Sequence, residues 1–358
     1  IGKYWKKRKK RKEKMSTTQQ QHTINGDKHQ NGVMNGKHAM NGCDHNGNST
    51  TTISKQYMNV NAITNSEYTH EKIKAIADWL LERVTIRPKI GIVCGSGLGG
   101  LGDRLKEAQT FPYETVPDFP RSTVVGHKGN LIFGYLNGVE VVCMQGRFHA
   151  YEGYSNSLCT LPMKVFKLLG IKTLILTCAA GGVNPDFNVG DIMMIKDHMA
   201  PVLWTLQNPL VGHNDDLFGP RFPPVNRLYG KKLRDMFRET AKELNIEVKE
   251  GVYSSFGGPN YESVTELRAL RMFGVDSVGM SVAHEALVAG YCGMEVFALS
   301  LITNKAVLDY DSEETANHEE VVEVANARAK DIESLIMSFV EKLFKRQADT
   351  NNNEKNGH

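Results

Sequence analysis

No run of about eighteen apolar residues occurs in the 358-residue chain, so a membrane-spanning helix is not expected. The basic start is followed by no apolar signal-peptide core, and secretion is not expected either. Cysteine is sparse and scattered: Cys43, Cys94, Cys143, Cys159, Cys178 and Cys292 include no Cys-x-x-Cys pair. Such spacing suits neither a disulfide framework nor a thiolate zinc site, and reads as reduced thiols in a cytoplasmic protein. His-Glu-x-x-His is absent, as is the Gly-Lys-Ser/Thr of an ATP-binding loop, which removes the usual sequence grounds for a metalloprotease or a P-loop enzyme. A cationic surface is missing too. The net charge is +3, but residues 1–14 carry nine Lys or Arg against one Glu, leaving −5 on the remainder. A mildly acidic folded part argues against a nucleic-acid partner.

The chain divides unevenly. Residues 1–66 read as a low-complexity, disordered tail, because 16–66 are rich in Asn, Gly, Gln, His and Thr and cannot offset chain entropy by burial. Residues 1–14 precede Met15-Ser16-Thr17 and read as an upstream translated or appended stretch. The tail's His22, His29, His38 and His45 are too far apart in a floppy segment to predict a metal site. Residues 67–347 form one domain, large enough for a deep pocket, and 348–358 read as a frayed end.

Within the domain, Ile73, Ile76, Ala77, Leu80 and Val84 predict an amphipathic helix stopped by Pro88. Further helices are predicted near 157–169, 226–244, 264–273 and 318–345. Asn137-Gly138 between Leu131–Tyr135 and Val139–Met144 signals a hairpin. Strands are also predicted at Ile90–Cys94, Thr173–Thr177, Asp191–Ile195, Ser277–Met280 and Val296–Thr303. A hairpin inside a strand–helix alternation implies an α/β fold with a mixed central sheet surrounded by helices.

The most informative junction is Ile90-Gly91-Ile92-Val93-Cys94 followed by Gly95-Ser96-Gly97-Leu98-Gly99-Gly100. Glycines there permit positive φ and leave backbone N–H groups open to an anion, with the Ser96 hydroxyl beside them. The loop satisfies Gly-x-Gly-x-x-Gly, but the acidic ribose partner of a dinucleotide site is missing. Glu114 and Asp118, at the right distance, lie among Pro112, Pro117 and Pro120, where a central strand is excluded. By itself the loop is compatible with a plain tight turn. Gln145 to Tyr154 follows another strand and offers Arg147 as a bidentate phosphate clamp with His149 as a second donor; a surface Arg and a loop His would look the same. Thr177 to Gly182, Gly258 to Glu262, Gly279 to Ser281 and Thr303 to Lys305 likewise end or follow apolar runs.

Taken in order, Gly-Ser-Gly-Leu-Gly-Gly, Val-Gly-His-Lys-Gly (125–129), Gly-Arg-Phe-His-x-Tyr-Glu-Gly-Tyr, Ala-Ala-Gly-Gly-x-Asn-Pro (179–185), Gly-Asp-Ile-Met (190–193), Gln-Asn-Pro-Leu (207–210), Gly-Pro-x-Tyr-Glu (258–262), Val-Gly-Met-Ser (278–281), Leu-Ile-Thr-Asn-Lys (301–305) and Ala-Asn-His-Glu-Glu (316–320) closely resemble the trimeric purine nucleoside phosphorylases over about residues 67–345. The resemblance implies the nucleoside phosphorylase fold, a partly barrel-like mixed sheet, and a cytoplasmic homotrimer. The implied activity is purine-salvage glycosyl transfer, in which orthophosphate splits 6-oxopurine nucleosides such as inosine and guanosine into base and α-pentose 1-phosphate. It assigns phosphate to Ser96, His127, Arg147, His149, Ala179 and Ser281. Tyr151 and Met280 would hold the ribose, His318 the 5′-hydroxyl, and Tyr261, Glu262 and Asn304 the purine. Trp204 would enter a neighbouring subunit's pocket. Cys178 stands for a usual Asn, Tyr261 for a usual Phe, and Val282-Ala283-His284 for a usual Thr-Val-Pro.

Breaking a ribosyl C–N bond leaves positive charge on the sugar and negative charge on the purine, so an anion beneath the sugar and donors around the base are needed. Phosphate supplies the anion, with His149, Glu262 and Asn304 as the catalytic set. No metal or organic cofactor is expected. A methylthioadenosine phosphorylase is the nearest alternative, but it needs an acid facing a 6-amino group and an apolar residue at the 5′ position, against Asn304 and His318. A non-catalytic nucleoside-binding protein is the more distant alternative. The division of the chain is itself testable: a protein starting at Glu67 should keep the thermal midpoint of the full chain. A substantially lower midpoint would show that the tail belongs to the folded unit.

Overall fold

The apolar runs become strands buried on both faces, which is why they show little polar alternation. The computed structural model describes residues 68–124 and 126–356; the low-complexity tail, with its four histidines and Cys43, lies outside them. Nine strands form one sheet: β1 (Ile90–Cys94), β2 (Lys106–Pro112), β3 (Asn130–Leu136), β4 (Val139–Gln145), β5 (Thr173–Gly182), β6 (Ile192–Met199), β7 (Val248–Ser255), β8 (Ser277–Gly279) and β9 (Glu295–Lys305). Their spatial order is β2-β3-β4-β1-β5-β8-β7-β6-β9, and β9 returns to pair with β5. Strands β5, β8, β7, β6 and β9 therefore close into a small barrel, with the other four as an open wing. Directions are mixed: β1 runs parallel to β4 and β5, whereas β3 is antiparallel to β2 and β4.

Alternate side chains of each strand feed opposite layers. Leu174 and Leu176 join a core with α1 (His70–Leu81) and α3 (Leu161–Leu169), through Ile73, Ile76 and Phe166. Ile175, Ile90 and Ile92 point the other way, into a core with Phe237 of α4 (Lys231–Glu243) and Ile336 and Phe339 of α7 (His318–Asn356). The remaining helices are α2 (Asn156–Cys159), α5 (Val264–Met272) and α6 (Ala283–Tyr291).

The predicted hairpin is present, with Asn137 and Gly138 both at positive φ. Several boundaries differ from the sequence reading. Helix α1 ends at Leu81, so Val84 is buried beyond it rather than on its face. Helix α4 starts at Lys231, after the Pro- and Gly-containing stretch to Gly230, and α7 continues past 345. Strands β2 and β7 went unpredicted: β2 is a mostly exposed, polar edge strand, and β7 carries Lys249, Glu250 and Gly251. A Cβ on Gly251 would lie 2.5 Å from Met193 Sδ on β6 and 2.8 Å from Asp276 Cβ.

Candidate active site

The C-terminal ends of β1 and β4 lie level, Cys94 opposite Gln145, and β5 runs on beside them from Leu176, opposite Val93, to Gly182, so the two loops emerge against the second half of β5. At Gly95 a Cβ would meet the Thr177 carbonyl oxygen at 2.6 Å, Cys178 Cα at 2.8 Å and Arg147 Nη1 at 3.0 Å, so only glycine allows this approach. The Gly95 N–H donates to Thr177 Oγ1, which in turn donates to the Val93 carbonyl, each at 3.0 Å. Gly97, at φ +73°, seats the loop on α7, where a Cβ would lie 2.3 Å from that of Ala325.

Arg147 is the centre of this cluster. Its side chain is 1% exposed, Nε donates to Glu285 Oε1 at 3.0 Å and Nη1 donates to the Thr177 carbonyl at 2.6 Å. Nη2 is buried without a hydrogen-bond partner. Burial alone would favour the neutral guanidine, but the Glu285 carboxylate outweighs it and holds Arg147 charged; burial likewise opposes ionisation of Glu285, and Arg147 overcomes it.

The two histidines are fixed by different partners. His127 Nδ1 lies 3.2 Å from both the backbone nitrogen and the carbonyl oxygen of Arg147, and its Nε2 shares a hydrogen bond with Ser96 Oγ at 3.1 Å. Burial, reinforced by His149 and Arg147, lowers His127 to about 4. His149 Nδ1 lies 3.0 Å from Glu152 Oε1, which also accepts the His149 backbone N–H at 2.8 Å. Glu152 Oε2 accepts from both the Thr123 N–H and hydroxyl at 2.7 Å. Burial would raise the Glu152 carboxyl, but these donors bring it down to about 2. An ionised Glu152 only accepts, so Nδ1 carries the hydrogen and Nε2 is the free face of a neutral imidazole.

Ser281 is held from both sides: its N–H donates to Tyr253 Oη at 3.2 Å and its carbonyl accepts from Ser255 Oγ at 3.1 Å. Gly279 brings this strand end to Ala179, whose carbonyl would lie 3.2 Å from a Cβ there. Tyr151 stacks on His149 with ring centres 4.6 Å apart. Tyr151 and Met280 meet over Gly258, where a Cβ would contact Met280 Sδ at 2.5 Å and Tyr151 Cδ1 at 3.0 Å. The β5–β9 register sets Gly181 opposite Asn304, with Asn304 Nδ2 3.3 Å from the position of a Cβ on Gly181. Glu262 Oε1 is buried without a partner, and that burial raises its carboxyl.

Most of the sequence-predicted set is thus gathered around one region. Three members stand apart in exposure: Tyr261 is 43% and Trp204 67% exposed, and His318 is exposed at the start of α7. Cys178 does not substitute for an amide donor. Its thiol, buried and pushed up to about 12, reaches toward the Leu299 carbonyl at 3.8 Å. Sequence reasoning missed Glu152, Thr177, Tyr253 and Glu285 as supports of the site. Glu152 alone had a local signal, its three-residue spacing from His149. Among the described residues no cluster of three His, Cys, Asp or Glu could hold a metal, and no helix is long and apolar enough to cross a membrane.

The profile of the phosphorylase superfamily matches residues 89–341. The chain is 49% identical to the purine nucleoside phosphorylase of Mus musculus, over 78% of this chain and 97% of that protein. The chain belongs to the purine nucleoside phosphorylase family. The Anopheles gambiae purine nucleoside phosphorylase is 45% identical over 88% of this chain and 91% of its own length. The crystal structure of Schistosoma mansoni purine nucleoside phosphorylase in complex with adenosine is similar with a TM-score of 0.74 at 45% identity, covering 77% of this chain and 98% of that one. A Schistosoma mansoni purine nucleoside phosphorylase in complex with inosine gives 0.73 at 45% identity, covering 76% of this chain and 97% of that one.

The buried histidines give this phosphorylase a defined acid response. His127 and His284 both fall to about 4, chiefly by burial, against about 6.5 in an unfolded chain. Between those values the unfolded state binds more protons, so stability is complete above about pH 6.5 and is lost as pH falls toward 4. Urea midpoints at pH 7, 5.5 and 4.5 should decrease in that order, and His127→Gln should flatten the slope. Equal slopes in the two proteins would remove His127 from the account.

Proposed function

We propose that the chain catalyses the reversible phosphorolysis of 6-oxopurine ribo- and deoxyribonucleosides, giving free base and α-pentose 1-phosphate, as a cytoplasmic homotrimer in purine salvage. Orthophosphate is the co-substrate, with no metal or organic cofactor. The observation that carries this reading is a shared strand: β5 carries Thr177, whose carbonyl accepts from Arg147 Nη1, and Gly181, which lies opposite Asn304, while a buried carboxyl oxygen of Glu262 is left without a partner. Relatives named purine nucleoside phosphorylase, and a neighbour solved with inosine, support it.

Arg147 Nη2, Ser96 Oγ–H, the backbone at Ala179 and Ser281 bind phosphate, and His127 orients Ser96. His149 Nε2 accepts the hydrogen of HPO₄²⁻, leaving unprotonated oxygens toward the sugar. As the C–N bond lengthens, phosphate sits beneath a ribosyl cation positioned by Tyr151 and Met280, with His318 at the 5′-hydroxyl. Tyr261 stacks on the purine and Glu262 accepts N1–H. Asn304 Nδ2 donates to O6, and as negative charge develops on the purine, N7, which carries no hydrogen in the bound nucleoside, takes a proton from solvent and donates it in a hydrogen bond to Asn304 Oδ1. Trp204, exposed on its own subunit, closes a neighbour's pocket, so the active unit is the assembly. The methylthioadenosine alternative is not favoured, because Asn304 and His318 suit a 6-oxo group and a 5′-hydroxyl.

Purine choice tests the base assignment. A buried hydrogen-bond mismatch discriminates by roughly 10⁴ in kcat/KM, so inosine should exceed adenosine by about that order. The adenosine complex of the Schistosoma relative concerns occupancy in that protein; the expectation here concerns turnover. Asn304→Asp should raise adenosine phosphorolysis and cut that of inosine. Comparable use of both nucleosides by the unaltered enzyme would overturn the role of Asn304.

The composite site has its own test. Trp204→Ala and Glu262→Ala proteins should each be weak, and exchanging their subunits should restore activity, since some pockets then hold both native residues. No recovery in fully exchanged mixtures would exclude a shared pocket.

A further inference from the structure

We propose that Glu285 is a positioning residue for the co-substrate: it fixes Arg147 so that the Nη2 edge alone faces the anion, and its charge keeps bound phosphate loosely held and nucleophilic. This rests on the reading of phosphate as the attacking group. The first support is geometric. Arg147 and Glu285 are each 1% exposed, and two of the three guanidinium nitrogens already have protein acceptors, Nε in Glu285 Oε1 at 3.0 Å and Nη1 in the Thr177 carbonyl at 2.6 Å. Turning the guanidinium to present another edge would break buried, charge-assisted bonds.

The second support is how Glu285 is delivered. Val282 adopts φ +66°, ψ −54°, and the Ala283 N–H donates to the Ser281 carbonyl at 2.8 Å, a γ-turn centred on a β-branched residue. Such a conformation persists where surrounding structure demands it. It joins the phosphate-facing Ser281 to the first turn of α6, where Glu285 sits behind Arg147 and where a carboxylate is favoured by the helix N-terminus. The groups acting electrostatically on Glu285 are Arg147, His284 and His149.

The third support is charge arithmetic. A guanidinium paired with a carboxylate is nearly neutral to an approaching phosphate. Phosphate loses charge as it bonds to the ribosyl cation, so a naked guanidinium would stabilise the ground state more than the transition state and slow the reaction.

The test is steady-state kinetics on Glu285→Gln, which keeps an Oε1 acceptor and removes the charge. The phosphate KM should fall by at least about fivefold and kcat by at least about tenfold, with the inosine KM unchanged. Glu285→Ala, lacking the acceptor, should instead raise the phosphate KM. Unchanged constants in Glu285→Gln, or both KM values rising together, would overturn the proposal. Should the variants not fold, the unaltered enzyme gives the answer by ¹⁵N NMR of its arginine side chains, with the Arg147 signal assigned by its loss in Arg147→Lys. The Nε–H should exchange slowly without phosphate and keep its shift when inorganic phosphate is added; fast exchange, or a phosphate-dependent Nε shift, would contradict the fixed edge. Inosine cleavage by the unaltered enzyme that ignores phosphate would instead sink the phosphorolysis reading itself.

Discussion

Arg147 is a cation with almost no exposed surface, and much of the surrounding architecture makes its burial tolerable. Removing a guanidinium from water costs several kcal/mol unless its hydrogens find acceptors and its charge a counter-charge. Glu285 supplies the counter-charge, and the Thr177 carbonyl a second acceptor. The third edge has neither. An anion bound there would complete the set, which is why the proposed phosphate site is placed at this edge.

The sheet brings the remaining groups to that edge. Parallel pairing of β1, β4 and β5 sets the loops after β1 and β4 against the second half of β5, and the return of β9 to β5 sets Asn304 opposite Gly181. Glycines at 95 and 279 let backbones approach where any side chain would collide. Arg147, hydrogen-bonded to Thr177, and Asn304, opposite Gly181, are thereby both tied to β5, so the proposed anion and base walls share one strand. A reaction that separates charge between a sugar and a purine needs such fixed donors at both ends, since mobile ones would have to reorganise as the bond breaks.

Local chemistry was legible in the sequence where it depended on neighbours in the chain. Asn137-Gly138 specified its hairpin, and the glycines after Cys94 their turn. Arg147 and His149 were suspect as loop residues after a buried strand, and only the ordered motifs raised them above an ordinary surface pair. Glu285 was not legible, because it lies 138 residues from Arg147 and its neighbours depart from the family pattern. The barrel closure also depends on a long-range pairing. Edge strand β2 carries no apolar alternation because solvent covers much of it.

The central claim is that the anion on Arg147 is the nucleophile, and the fate of its oxygens tests this most directly. Inosine cleaved in fully ¹⁸O-labelled orthophosphate and unlabelled water should yield α-ribose 1-phosphate that retains all the labelled oxygens, one of them bridging to C1. Free ribose whose anomeric oxygen comes from water would contradict it.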